Sequence, residues 1–355
     1  MRILITGVCG FVGGVVAQGV RDQRPDWEIV GLDNLVRAGS ETNRTSLRHL
    51  GVRVVHGDIR QASDLETLPR CDWILDAAAN PSVLAGVDGR TSSRQLIEHN
   101  LIGTINLLEL ARAWKSGVLI LSTSRVYSIP GLAAIPVEAQ GERFAPCAGA
   151  TVPGLSPAGV MEGFSTAAPI SLYGATKLAS ETLALEYGET FNLPVRINRC
   201  GVLAGAGQFG RIDQGIFSYW IHSWARRRPL KYIGFDGMGR QVRDCLHARD
   251  LLPILLAQME RPLDAAPRVV NVSGGMSRSA SLRELSVWCE RRLGSHTVFS
   301  EPVRRPFDVP WLVLDASAAG RHWDWKPLTS LEQTWSEIAE HAERNPHWLD
   351  LVAGD

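Results

Sequence analysis

Tyr173 and Lys177 stand four residues apart in the run Ser171-Leu172-Tyr173-Gly174-Ala175-Thr176-Lys177, whose make-up predicts helix. At that spacing a phenol and an ammonium share one helix face, a single turn apart. A cation near a phenol favours phenolate, so the pair predicts a tyrosine able to act as a general base near neutral pH. Alone, such a pair is more often a core aromatic beside a solvated lysine. Its weight comes from the elements that must position it.

Those elements begin at the N-terminus. Arg2–Thr6 is a β-type run, and Gly7-Val8-Cys9-Gly10-Phe11-Val12-Gly13-Gly14 then opens an amphipathic helix. Gly7 suits a sharp turn, Gly10 lets backbone approach a pyrophosphate, and Gly13 allows close helix–strand packing. The helix N-terminus offers the anion unpaired N–H groups. A second strand, Glu28–Leu32, ends in Asp33, where an acid hydrogen-bonds an adenosine 2′-hydroxyl and repels a 2′-phosphate. NAD is therefore expected over NADP, although Arg37 nearby could accept a phosphate.

Val52–His56 leads to Gly57-Asp58-Ile59, with Asp58 placed for an adenine edge, and Trp73–Asp76 ends in the small residues Ala77-Ala78-Ala79. Arg94–Lys115 reads as one long amphipathic helix and Val118–Leu121 as a strand running into Ser122-Thr123-Ser124. This alternation predicts an α/β fold, a doubly wound parallel (Rossmann) sheet binding ligands at the carboxyl ends of its strands.

The chain has 355 residues, enough for a large α/β unit with an added part. The expected division is a cofactor domain at 1–198 and a smaller C-terminal α/β substrate-binding cap at 199–355, with the segment near 242–257 crossing back. Ser281-x-x-Glu284 and Thr329-x-x-Glu332 read as capping boxes in the cap. Thirty-seven basic against 37 acidic residues argue against a nucleic-acid or anionic-membrane partner. Six scattered cysteines and nine histidines show no ligand spacing, so no metal is expected. The N-terminus lacks a signal-type apolar run, and the longest apolar stretch, near Leu251–Ala257, is too short for a membrane span. A cytoplasmic protein with reduced thiols is the expectation.

With Gly7-x-x-Gly10-x-x-Gly13, Asp33-Asn34-Leu35, Asp58, Thr123 to Tyr127 and Tyr173-x-x-x-Lys177, the chain resembles the extended short-chain dehydrogenase/reductases acting on nucleotide sugars. The resemblance covers nearly its whole length. It implies a catalytic triad of Tyr173, Lys177 and Thr123, with Ser128 standing where the family's Val-Tyr-Gly run has glycine. It assigns to NAD the residues Gly7, Gly10, Phe11, Val12, Gly13, Asp33, Asn34, Asp58, Ile59, Ala77, Ala78, Ala79 and Asn100, besides Tyr173 and Lys177. The C-terminal stretches Arg199-Cys200-Gly201-Val202, Gln208-Phe209, Asp213-Gln214-Gly215 and Gly239 to His247 resemble the CDP-paratose (CDP-tyvelose) 2-epimerase branch.

The implied chemistry is inversion of a hydroxyl-bearing carbon by transient oxidation and return of the hydride to the opposite face. Sugar-nucleotide 4,6-dehydratases place an Asp-Glu pair after the threonine; here Ser124 and Arg125 stand there, which disfavours dehydration. The resemblance assigns Arg243 and Arg305 to the diphosphate, Lys231 and Tyr232 to the base, and Ser82, Val83, Thr123, Ser124, Arg125, Gln208 and Gln214 to the substrate at large. The Pro/Gly/Ala-rich connection over 128–170 suggests a flap over the sugar. The helices at Arg94–Lys115 and Tyr173–Tyr187, apolar on more than one side, suggest a homodimer. The rival readings are a UDP- or dTDP-hexose 4-epimerase and a non-catalytic dinucleotide-binding protein.

Overall fold

The computed structural model describes residues 1–87, 89, 92–261 and 266–353. Strands β1 (Arg2–Thr6), β2 (Glu28–Asp33), β3 (Arg53–His56), β4 (Trp73–Asp76) and β5 (Gly117–Thr123) pair in parallel with Val195–Cys200 and Val269–Val272. The seven-stranded sheet has the order Val269–Val272, Val195–Cys200, β5, β4, β1, β2, β3. Runs such as Ile3-Leu4-Ile5 and Ile74-Leu75 are buried on both faces, as a sheet covered by helices on each side requires. The strand order reverses between β1 and β4, so their carboxyl ends open the crevice in which such folds bind ligands.

Helix α1 (Phe11–Gln23) follows β1 directly. A Cβ on Gly13 would lie 2.3 Å from the Gly7 carbonyl oxygen, so only glycine permits this packing. The helix expected over Arg94–Lys115 is instead interrupted. It runs as Ser93–Ile97, a π-helical turn at Glu98–Ile102, and Gly103–Trp114. The Asn100 carbonyl accepts from the hydroxyls of Thr104 (2.9 Å) and Ser180 (3.1 Å), a pattern that widens the turn there.

The rest of the chain builds a second layer system. Val202–Ala204, Val242–His247, Ser279–Ser281 and Trp311–Leu312 form a small sheet, and Leu230–Ile233 pairs with Val298–Glu301. Trp220, Trp224, Trp288 and Trp335 fill the core beside it. Leu251–Glu260 packs among the helices flanking the large sheet, and the chain regains that sheet at Val269–Val272. Val242–His247 itself stays in the small sheet. The Ser281/Glu284 capping box is present, whereas the last long helix is capped one residue later than expected, by Ser330, because the Thr329 hydroxyl donates to Asp250.

The 128–170 connection is no flap. It folds into a helix (Ile129–Ala133) capped by Ser128 and into hairpins over 137–146 and 155–160. Its apolar residues Leu132, Ile135, Val160 and Phe164 bury against Trp311 and Leu312. None of the described residues of 128–170 lines the cleft.

Candidate active site

The carboxyl ends of β1, β2, β4 and β5 open into one cleft of about 600 Å³, roofed by loops of the second layer system. That volume suits a small-molecule site. Tyr173 enters it from the Ser171–Thr190 helix and Thr123 from the end of β5. The helix can approach because residue 174 is glycine: a Cβ there would meet the Arg125 carbonyl at 2.3 Å.

Tyr173 and Thr123 both line the cleft, close enough for the threonine hydroxyl to act on the phenol. Burial pushes the Tyr173 phenol up to about 12, against the opposing pull of Thr123 and Arg125. The expected lowering by Lys177 is thus not seen in the protein alone. Lys177 is buried in the electrostatic range of Cys200, and the cation that acts on the phenol is Arg125. Sharing a helix face brings two side chains near each other, but a long lysine stem can still turn its charge elsewhere.

Tyr173, Lys177 and Glu181 continue the same four-residue spacing. Glu181 was not picked out from the sequence, although that repeat is its signal. It accepts from the Ser122 hydroxyl and from Arg199 at 2.7 Å, both partners being buried. Arg199 also reaches Tyr127, whose hydroxyl donates to Asn271 at 2.6 Å. This chain of bonds ties the helix bearing Tyr173 to β5, Val195–Cys200 and Val269–Val272.

The crevice at β1 fits a dinucleotide. Gly7 adopts φ +63°, and a Cβ on it would touch Ala77 and Ala78 at about 3.0 Å, so the β1 and β4 turns press together. Thr6 Oγ1 accepts from the N–H groups of Ala77 (3.2 Å) and Ala78 (3.1 Å), fixing the floor. Gly10, Phe11, Val12, Gly13 and Ala79 line the same surface with Asn34.

The Asp33 carboxylate accepts from the N–H groups of Cys9 and Leu35, each at 2.8 Å, and faces the cleft. Arg37, its possible phosphate-binding neighbour, donates to the Phe209 carbonyl, and burial pulls it down to about 10. An acid on offer with the nearby cation committed suits a free 2′-hydroxyl. Asp58 and Ile59 line an adjoining side pocket of about 60 Å³ with Asn34 and His99. Burial would raise Asp58, yet Arg60 at 2.6 Å and Asn34 at 2.9 Å hold it well below the usual carboxylate range. Asn100 does not reach the cleft: its amide clasps both main-chain groups of Asn80, at 2.8 and 3.0 Å, and so supports the loop after β4.

On the substrate side Val83, Ser124, Arg125, Gln208, Gln214, Lys231, Arg243 and Arg305 all line the cleft. Two expected residues do not. Ser82 donates to Asp213, which does line it. Tyr232 points the opposite way from Lys231 and Ile233, as strand alternation demands, and its ring stacks on Trp220 at 5.5 Å.

Arg243 donates to Asp308 at 2.6 Å and to the Val309 carbonyl at 2.8 Å, while Arg305 donates to the Ile212 carbonyl at 3.0 Å. Asp213, Gln241 and Asp308 also line the cleft, though the sequence reading singled out none of them for the site. Gln241 sits in the stretch Gly239-Arg240-Gln241-Val242-Arg243, which already marked the neighbourhood. Its Nε2 donates to the Ile233 carbonyl at 2.7 Å, and its Oε1 is without a partner.

Asp33, Asp213 and Asp308 are the carboxylates among the described residues lining the cleft. Each is engaged, by backbone N–H groups, by Ser82 and by Arg243 respectively. No acid follows Thr123 to serve an elimination. Among the described residues no metal-type cluster of His, Cys, Asp or Glu occurs, and no helix is long and apolar enough to cross a membrane.

The family model described as the NAD dependent epimerase/dehydratase family matches residues 3–273. The CDP-paratose 2-epimerase of Salmonella typhi is 30% identical over 344 residues, covering 93% of this chain and 96% of that protein. The dTDP-glucose 4,6-dehydratase of Salmonella typhimurium is 25% identical, over 99% of this chain and 95% of its own. Among solved structures, the UDP-glucuronic acid 4-epimerase of Bacillus cereus, in complex with UDP-glucuronic acid and NAD, has a TM-score of 0.79. It is 22% identical, with 97% of this chain and 99% of that chain covered.

Proposed function

Because this chain belongs to the NAD-dependent epimerase/dehydratase family, we propose that it is an epimerase inverting C2 of a CDP-hexose. The observation that carries the epimerase reading is the Thr123–Tyr173 pair, set beside a glycine-built dinucleotide crevice with no acid/base pair at 124 and 125. The relative at 30% identity supports C2 and the cytidine nucleotide.

Tyr173 takes the proton of the reacting hydroxyl, and Thr123, at the end of β5 in the same cleft, orients that hydroxyl. Lys177 reaches the cofactor ribose. NAD, when bound, accepts the hydride and returns it, so no net redox change results. The glycine turn with the α1 N-terminus holds the pyrophosphate, and Asp33 holds the adenosine ribose. Arg243 and Arg305 grip the substrate diphosphate, as guanidinium forks suit phosphate oxygens.

In this reading residues 1–198 carry the cofactor and 199–355 the substrate-binding cap. The enzyme is a cytoplasmic homodimer, pairing through the face that exposes Ile97, Ile102 and Leu172. A concentration-independent monomer in sedimentation would reject the pairing.

The decisive assay follows CDP-glucose and CDP-paratose in D2O by NMR. Conversion to the C2 epimer without deuterium at C2 supports hydride return and the reading as a whole. Inversion of C4 in a UDP- or dTDP-hexose, with no reaction at C2, would move the protein to the 4-epimerases, the reading that the structural likeness favours.

A further inference from the structure

Arg125 lies where the reaction centre meets the arginines of the substrate side. Its main chain is pinned: the Arg125 N–H donates to the Thr123 hydroxyl at 3.2 Å, and its carbonyl packs on Gly174. Its guanidinium lines the cleft in the company of Tyr173, Arg243 and Asp308. Among the described residues the guanidinium makes one hydrogen bond, to the Phe307 carbonyl, long at 3.4 Å.

Asp308 is committed elsewhere, to Arg243 at 2.6 Å and Gln241 at 3.4 Å. Arg125 itself has no salt bridge within 4.0 Å among the described residues. Two arginines thus face one carboxylate, which leaves a positive charge uncompensated in a partly desolvated site. Burial first, and Arg243 second, pull the Arg125 guanidinium down to about 10, the direction such an imbalance dictates. A bound anion would remove it.

The anion available on a nucleotide sugar is its diphosphate, and the position of Arg125 carries a regiochemical consequence. The β-phosphate is bonded to the anomeric oxygen. The C2 hydroxyl is on the next carbon, whereas the C4 hydroxyl is across the ring. A cation that reaches from the phosphate arginines to the catalytic phenol can serve both ends only when the reacting carbon adjoins the anomeric one.

We propose that Arg125 grips the β-phosphate beside Tyr173 and thereby selects C2 as the inverted carbon. This deepens the reading above and rests on it. No covalent step is added: Arg125 binds and orients, while Tyr173 and Thr123 handle the proton.

The test uses the NAD-loaded protein as purified and three forms: wild type, Arg125→Met and Arg125→Lys. Calorimetry compares CDP with CMP, which lacks the β-phosphate. Arg125→Met is expected to weaken CDP by about tenfold or more with CMP within twofold, since a bidentate charge-assisted contact is lost. The same variant loses roughly a hundredfold in kcat for C2 inversion, and Arg125→Lys recovers part of both.

Equal weakening of CDP and CMP, or CDP affinity unchanged, would overturn the grip. So would C2 inversion within threefold of wild type in Arg125→Met. Retained NAD and an unchanged circular dichroism spectrum in Arg125→Lys separate a binding effect from misfolding. If wild type inverts C4 of a UDP-hexose, the function reading fails by itself. The UDP-against-UMP comparison in Arg125→Met then still decides the grip, and a grip found alongside C4 inversion would overturn the C2 selection.

Discussion

Tyr173 has a proton that burial makes harder to remove than in water, and the groups that ease its departure are Thr123 and Arg125, not Lys177. Replacing it with phenylalanine keeps the ring and deletes the hydroxyl that the proposed mechanism uses as base. Tyr173→Phe is therefore expected to lower turnover by about 10²–10⁴-fold with NAD content unchanged, measured by NMR rates and nucleotide release. The same phenol predicts a pH effect on stability. Its folded pKa lies above the ordinary value of 10, so the fold favours the protonated form. That contribution is complete below pH 10 and is lost as pH rises toward about 12. Melting temperatures between pH 9 and 11.5 should fall less steeply in Tyr173→Phe than in wild type; parallel curves would contradict the shift. Tyr173 and Lys177 were legible in the sequence, because they stand four residues apart on one helix face, while Glu181, next in that spacing, was passed over. The charge balance around Arg125 was not legible, since it depends on Arg243 and Asp308, far along the chain.

Elements carry these groups, and two contacts decide how rigidly. The α1 turn tolerates no side chain at Gly13, where a Cβ would stand 2.3 Å from a main-chain oxygen that cannot rotate away. Gly13→Ala is expected to cost about 1–3 kcal/mol and to release NAD, read by denaturant melts and cofactor content after gel filtration. Intact NAD binding in that variant would show that the crevice accommodates the shift. The Glu181–Arg199 pair fastens the Tyr173 helix to the sheet. Arg199→Met leaves the Glu181 carboxylate buried without its cation, a loss of about 3–5 kcal/mol. A stability change below about 1 kcal/mol would mean that Ser122 alone satisfies the acid. Strand positions β1 to β5 were readable to within a residue or two because both faces of a parallel sheet bury apolar runs. The π turn at Glu98–Ile102 was not; its Asn100 carbonyl is met by two hydroxyls, one of them from a different helix.

At the scale of the molecule, the loop over 205–215 roofs the cleft and is fastened from several directions. Arg37 and Ser82 hold it to the large sheet's side, through Phe209 and Asp213, and Arg305 holds Ile212. The C-terminal helix Trp348–Ala353 clamps it from behind. Trp348 stacks on Phe209 at 5.3 Å and donates to the Gln208 carbonyl at 2.9 Å, while Arg211 donates to the Val352 carbonyl at 2.9 Å. Trp348→Ala removes the stack and the bond together. It should raise the NAD dissociation rate about tenfold or more, measured by fluorescence on dilution, while leaving Tyr173 and Thr123 in place. An unchanged rate would mean that Arg37 and Ser82 suffice to hold the roof.

Apolar runs, glycine spacing and strand-end acids were enough to indicate the parallel sheet and the dinucleotide crevice. Each of these is written in neighbouring residues, within the reach of one strand, one turn or one helix face. Which side chains share the cleft was settled only in three dimensions. Lys231 faces it while Tyr232 joins the core, Asn100 braces a loop behind it, and the 128–170 connection packs beneath the small sheet. Such outcomes turn on how distant segments meet, and a half-buried charge such as Arg125 acquires its meaning only from the partners that tertiary packing brings to it.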